Sequence, residues 1–295
     1  MRTRPILYSS SLLRIAELSE KPLESITPQW RLERDGKPGK AGQNSAHGSL
    51  PVQDVPIGNG IHLGSIDVPL LALKPANKYV LTVTLPGVTN PNGQPVENSW
   101  DIWVFPADLD VQTPAGVTVT AALDEGALET LKKGGKVLLL LPPERVKTTA
   151  QIGFSSIFWN TAWTNNQPPH TLGILCDAQH AVFANFPTES HSNWQWWDLV
   201  HGAAAMQLDA LPKKLRPLVQ PIDTWFENRR LGLLFEARVN GGKLMVCSMN
   251  LGGSLDNRPV ARQMLYSLMK YMKSEQFNPQ VNVTPQIIRS LEREN

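Results

Sequence analysis

The chain has 295 residues, enough for one large domain or two of ordinary size. Its 41% hydrophobic and 18% charged residues are those of a globular protein, not of a disordered or fibrous one. A formal charge of +2, with Lys and Arg scattered, gives no electrostatic case for nucleic acid or an anionic membrane. No apolar run reaches the length of a membrane span, and neither kind of partner is expected.

The first hundred residues read as β. Basic residues and some leucines open the chain, but Glu17, Glu20 and the lack of a continuous apolar core make this stretch a poor signal peptide. Residues 27–32 alternate like a half-buried strand, and residues 35–48, rich in Gly, Lys and Ser, read as a loop. Ile57, Gly58, Asn59 and Gly60 are turn chemistry, whereas residues 61–68 and 78–85 alternate cleanly. Residues 87–94 form another loop. Residues 98–105 form a last strand, with Trp100 and Trp103 on opposite faces by its period of two. Strands separated by Gly/Pro/Asn turns, with no helical stretch between them, predict an antiparallel sandwich.

After Pro106 the character changes. Residues 117–120 predict a short strand. Residues 124–133 predict a helix that opens with acids and closes with lysines, as the helix dipole favours. Gly134 and Gly135 end that helix, and the apolar residues 136–141 are a strand covered on both faces. Such a strand–helix–strand unit crosses over right-handed onto a parallel neighbour. Residues 172–176 add another strand, and residues 229–248 a hairpin turning at Asn240, Gly241 and Gly242. The last long helix starts at Asn257, Arg258 and Pro259, with Val260, Met264, Leu265, Leu268 and Met272 at helical spacing. A short helix from Thr284, with Pro285 at its first position, closes the chain, and no internal repeat is visible.

The densest chemistry lies in residues 172–201. After the strand, Asp177 is placed to cap a short helix with Val182, Phe183 and Phe186 on its apolar face, and Pro187 stops it. Glu189, His191, Trp194, Trp196, Trp197 and Asp198 then put two acids, a histidine and three indoles within ten residues. Polar groups just past a strand's carboxyl end are where open α/β sheets place ligands. Indoles beside carboxylates also suit a sugar, whose flat C–H faces pack on the ring while its hydroxyls donate to the acids. The competing reading puts the tryptophans in a core or a domain interface.

Glu189-x-His191 lacks the helical spacing of zinc motifs, and neither a metal nor a cofactor is expected. Cys176, Asp177 and His180 would make a nucleophile and base, but the thiol ends an apolar strand with no cation beside it. Both cysteines, Cys176 and Cys247, read as small core residues. Asp223, Trp225, Glu227, Asn228 and Arg229 form a second polar and aromatic cluster, either a groove wall or an ordinary ion pair.

Two stretches carry a resemblance. One runs from Ile57-Gly58-Asn59-Gly60 through Asn98-Ser99-Trp100-Asp101-Ile102-Trp103-Val104-Phe105-Pro106. The other runs from Gly153-Phe154-Ser155-Ser156-Ile157-Phe158-Trp159-Asn160 through Phe186-Pro187-Thr188-Glu189 and His191-Ser192-Asn193-Trp194-Gln195-Trp196-Trp197 to Arg216-Pro217-Leu218-Val219-Gln220. Together they resemble the C-terminal region of bacterial glycoside hydrolase family 2 proteins of the β-galactosidase-like, sugar-binding-domain type, over most of the chain from about Pro22 to Met272.

The resemblance implies a sandwich followed by an α/β domain similar to class I glutamine amidotransferases. It also implies an extracytoplasmic setting, a galactoside-type or plant oligosaccharide ligand, and a catalytic barrel as packing partner. In that family a (β/α)₈ barrel carries retaining two-carboxylate catalysis. A barrel needs roughly 250 residues and eight strand–helix pairs, for which this chain has no room, so no glutamate here inherits a catalytic role. The amidotransferase likeness would need a nucleophilic cysteine on a glycine-flanked elbow, and Cys176 stands between Leu175 and Asp177 instead.

The expected architecture is therefore an antiparallel β-sandwich over residues 1–108 and a flavodoxin-like or amidotransferase-like α/β domain over residues 109–275. Residues 276–295 are a tail with a short helix. The expected function is that of an accessory carbohydrate-associated module, with Glu189, His191, Trp194, Trp196, Trp197, Asp198, Trp225 and Glu227 as candidate sugar contacts. The alternatives are a small hydrolase using Glu189, His191 or Cys176, and a purely structural or oligomerisation module.

Overall fold

The computed structural model describes residues 11–17, 21–35, 45–153, 170–224 and 226–293, and the chain divides into two units, Met1–Ala107 and Asp108–Asn295. In the first, alternation builds strands β1 (Ser11–Glu17), β2 (Leu23–Ile26), β3 (Gln29–Arg34), β4 (Ser45–Ser49), β5 (Gln53–Val55), β6 (Gly58–Ile66), β7 (Asn77–Thr89) and β8 (Pro95–Val104). All pair antiparallel, as a four-stranded sheet β4-β3-β7-β8 and the pairs β1-β6 and β2-β5. Along β7 every second residue, Tyr79, Leu81, Val83 and Leu85, is buried. Leu32 lies opposite Leu81, and these side chains share one core with Leu13, Leu50, Val55, Leu63 and Ile66. The register sets Trp100 beside Leu81 and Trp103 beside Lys78, on opposite faces of β8.

Two loop expectations are corrected in this unit. The end of the glycine- and serine-rich stretch pairs with β3 as β4, where the Trp30 ring lies so close over Gly48 that a Cβ there would come within 2.8 Å of it. Gly58 and Gly60 open β6 rather than a free turn, with φ of 152° and 70°, as bulges shift the β1–β6 register.

The second unit contains β9 (Val117–Thr120), α1 (Glu125–Lys132), β10 (Lys136–Leu140), β11 (Gly173–Cys176), α2 (Trp196–Val200), β12 (Met206–Gln207) and β13 (Val219–Ile222). It continues with β14 (Leu231–Gly232), β15 (Leu234–Val239), β16 (Gly242–Cys247), α3 (Pro259–Lys273) and α4 (Pro285–Arg289). Six strands form one mixed sheet in the order β11-β13-β15-β16-β10-β9. Within it β9, β10 and β16 run parallel to one another, and the β16–β15, β15–β13 and β13–β11 pairs are antiparallel.

Period two splits the sheet's side chains between two cores. Val137, Leu139, Phe235, Ala237, Leu244 and Val246 face α1 and α4, whereas Leu138, Leu234, Met245 and Cys247 face α2 and α3. Local chemistry matches these elements. Asp124 Oδ1 accepts from the Ala127 amide at 2.8 Å to cap α1, and Asn240 and Gly241 take positive φ to turn the β15–β16 hairpin. Gly242 belongs to β16 and not to the turn. α1 packs over it so closely that a Cβ would lie 2.6 Å from the Leu131 backbone. Residues 276–293 complete this unit. Phe277, Val283, Ile288 and Leu291 are buried in its cores, and Arg238 exchanges backbone hydrogen bonds with Val281 and Val283.

Candidate functional site

β11 is an antiparallel edge strand of four residues, so the crevice at the carboxyl end of a parallel strand does not arise there. The expected helix after it shrinks to a single 3₁₀ turn, Ala181–Phe183, capped by His180 Nδ1, which accepts from the Val182 amide at 3.2 Å. Asp177 instead accepts from the Gln179 amide at 3.0 Å. Val182, Phe183 and Phe186 are buried and form the base on which the aromatic segment sits.

That segment is pinned at four points. The Cys176 amide donates to the Ser190 carbonyl at 2.9 Å, and Gln195 Nε2 donates to the Pro187 carbonyl at 2.7 Å. Asn193 Nδ2 donates to the Glu189 carboxylate, and Trp196 Nε1 donates to Thr188 Oγ1 at 3.0 Å. Helical geometry then decides the fates of the indoles, because neighbours on a helix point about 100° apart. Trp196 is fully buried, edge-on to Phe183 and Phe186 with centroids 6.3 and 5.6 Å away. It is a core residue and is withdrawn as a sugar contact. Trp197 is 47% exposed and Trp194 80% exposed.

Asp198 is likewise structural. Arg258 Nε donates to its Oδ1 at 2.8 Å and Nη2 to its carbonyl at 2.9 Å. The same guanidinium holds Asn250 through its Oδ1 and carbonyl, and the Gly252 carbonyl. His191 is exposed, and its backbone bridges Leu175. Glu227 is exposed, and Trp225 lies outside the described residues.

The alternative hydrolytic constellation of Cys176, Asp177 and His180 is not poised as nucleophile and base. Cys176 Sγ donates to the Glu189 carbonyl at 3.3 Å, and burial pushes the thiol up to about 11, which keeps it a thiol at neutral pH. His180, its proposed base, is committed to its own cap and sits edge-on to Tyr271 at 5.4 Å. Burial raises the Cys247 thiol as well. Among the described residues no group of three or more His, Cys, Asp or Glu is placed to hold a metal, and no helix is long and apolar enough to cross a membrane.

What the fold does build is a pocket of about 390 Å³ lined, among the described residues, by Ile152, Gly153, His170, Trp197, Val200, His201, Gly202 and Ala203. Trp197 and His201 form one stacked pair, with centroids 4.7 Å apart and planes inclined by 16°. His170 Nδ1 donates to the Thr171 carbonyl at 3.0 Å. Its ring lies where a Cβ on Gly153 would come within 2.5 Å, so that position has room only for glycine. Asn250 Nδ2 holds the His201 carbonyl at 3.0 Å, so the Arg258 hub also supports the pocket wall. His170 carries no sequence signal. It follows a stretch of amides and prolines far from α2 in sequence, and only the fold brings it to Trp197.

The second polar cluster closes on itself. Arg229 Nε and Nη2 grip the Asp223 carboxylate at 2.8 and 3.0 Å, the Arg229 amide adds a bond at 2.7 Å, and the Asp223 side chain is 2% exposed. Burial alone would raise the Asp223 carboxyl, but the bonds from Arg229 outweigh it and hold the group below its ordinary 3.8. A depressed folded-state value stabilises the fold above the unfolded-state value, and that contribution is lost as pH falls through the folded one. Asp223→Asn is therefore expected to cost about 1–3 kcal/mol at pH 7. Urea titrations at stepped pH should show the gap between the two proteins narrowing below about pH 4. A gap that stays constant down to pH 2 would refute the assignment.

The fold is thus that of a two-unit protein, a β unit of antiparallel sheets followed by a mixed α/β unit with a histidine- and tryptophan-lined pocket in the second. Residues 118–293 match the family profile described as Domain of unknown function (DUF8487), and the chain belongs to that family. Residues 10–106 match a second profile, Domain of unknown function (DUF8488). A comparison with functionally curated proteins finds no match.

Proposed function

We propose that the chain is an accessory, carbohydrate-associated module whose sugar contact is the Trp197 pocket, non-catalytic by itself. Its parent would be a family 2 glycoside hydrolase, with unit 2 in the role of the amidotransferase-like domain, a catalytic barrel as partner and an extracytoplasmic setting. The observation that carries the reading is the half-exposed Trp197, stacked on His201 at the wall of the 390 Å³ pocket. A cavity of this size holds a small ligand, and a pre-stacked indole offers a flat apolar face at little entropic cost. Trp194, 80% exposed and one helical turn before Trp197, would lengthen the platform for an oligosaccharide. The protonated Cys176 favours this reading over a hydrolase.

The test is a titration of the purified chain with galactosides, glucosides and plant oligosaccharides, followed by intrinsic tryptophan fluorescence. A saturable change is expected that Trp197→Ala weakens by at least about tenfold, roughly 1.4 kcal/mol. Trp194→Ala should weaken only the longer ligands. A flat response across the panel would remove the sugar reading and leave a packing module.

A further inference from the structure

We infer that the Trp197 pocket selects an anionic sugar, a hexuronate or a sulfated hexose, over a neutral one; this rests on the carbohydrate reading above. Neutral-sugar sites use carboxylates to accept hydroxyl hydrogen bonds, and the described lining holds none. Its titratable side chains are His170 and His201. Residues 154–169, which join Gly153 to His170, contain no Asp, Glu, Lys or Arg, so that stretch supplies no acid.

Asp198, three residues before His201, is held by the Arg258 guanidinium from the start of α3 at 2.8 Å, which balances its charge. His170 spends Nδ1–H on the Thr171 carbonyl, leaving Nε2 as its other polar ring atom. In a protonated ring Nε2 is a donor as well. His201 lies face-on to Trp197, and an indole face attracts a cation. A carboxylate or sulfate bound in the pocket would accept from both rings in their protonated forms and be drawn by their charge, and a hydroxyl would not. Among the described residues the lining thus offers two imidazoles and no carboxylate, with an apolar wall for the sugar ring.

The experiment is isothermal titration of the full chain with methyl hexosides of the gluco and galacto series, each as the neutral sugar, the 6-carboxylate and the 6-sulfate. The charged forms are expected to bind at least about tenfold tighter than the neutral parent, and the carboxylate and sulfate arms tell which anion is meant. His201→Phe keeps a ring on Trp197 and removes the proton, and His170→Gln removes the second imidazole. Each should bring the charged-to-neutral ratio towards one. Equal binding of neutral and charged forms by the unaltered chain, or a ratio unmoved by both substitutions, overturns the inference and leaves the carbohydrate reading in place. No binding of any form, together with a flat oligosaccharide panel, overturns both.

Discussion

Trp196→Ala is expected to cost about 3–5 kcal/mol of unfolding free energy, because it removes a fully buried indole from the cluster it shares with Phe183, Phe186 and Leu199. The lost bond to Thr188 Oγ1 adds to the cavity cost by freeing one anchor of the loop before α2. Against a typical total of about 5–15 kcal/mol this is a large fraction, and the urea midpoint should fall accordingly. Trp197→Ala, one position on, should stay within about 1 kcal/mol of the parent, since half its surface already meets water. The pair of substitutions separates fold from site. If both cost the same, α2 is not oriented as described.

Arg258→Ala is the second large effect, expected at about 2–4 kcal/mol. Arg258 is no surface ion pair. Its guanidinium makes five hydrogen bonds, joining α2 through Asp198, the strand-to-helix segment through Asn250 and Gly252, and the first turn of α3. Removal strands the Asp198 carboxylate, which is only about one-third exposed, at 32%. Arg258→Lys keeps the charge but cannot form the planar fork, and should recover less than half of the loss. Because Asn250 also holds the His201 carbonyl, both variants should weaken ligand binding at Trp197 under conditions where they remain folded. Chemical denaturation gives the first number and fluorescence titration the second. An Arg258→Ala protein as stable as the parent would show that the hub is not formed in solution.

These two residues explain why the aromatic segment has both a rigid and an open side. Trp196 and Arg258 fix the short α2 from below and from α3, and Trp197 and His201 are left as a preformed wall. A five-residue helix has too little intrinsic stability to do this alone, so its orientation depends on tertiary contacts.

Local chemistry was legible wherever the physical signal was local. The alternation of Tyr79, Leu81, Val83 and Leu85, the acid-first and lysine-last helix α1, the Asn240-Gly241 turn and Pro259 at the start of α3 each depend on a few neighbouring residues, and each stands as read. Misreadings came where distant partners decide. Gly48 and Gly242 look like loop glycines until Trp30 and α1 are seen to need the space of a missing Cβ. Asp177 resembles a cap, but the buried aromatic cluster shifts the turn onto His180.

The candidate site divides in the same way. By itself the sequence determined that residues 189–201 concentrate indoles, acids and imidazoles, and that both cysteines belong to apolar strands, because composition and periodicity need no partner. Only the tertiary structure decided which indole is core and which is wall, and that Asp198 answers to an arginine 60 residues away. It alone brought His170 to Trp197. The physical reason is that burial and ion pairing are properties of the packed chain: Trp196 and Trp197 are chemically identical, and what separates them is the direction each faces on a helix that α3 and the sheet hold in place.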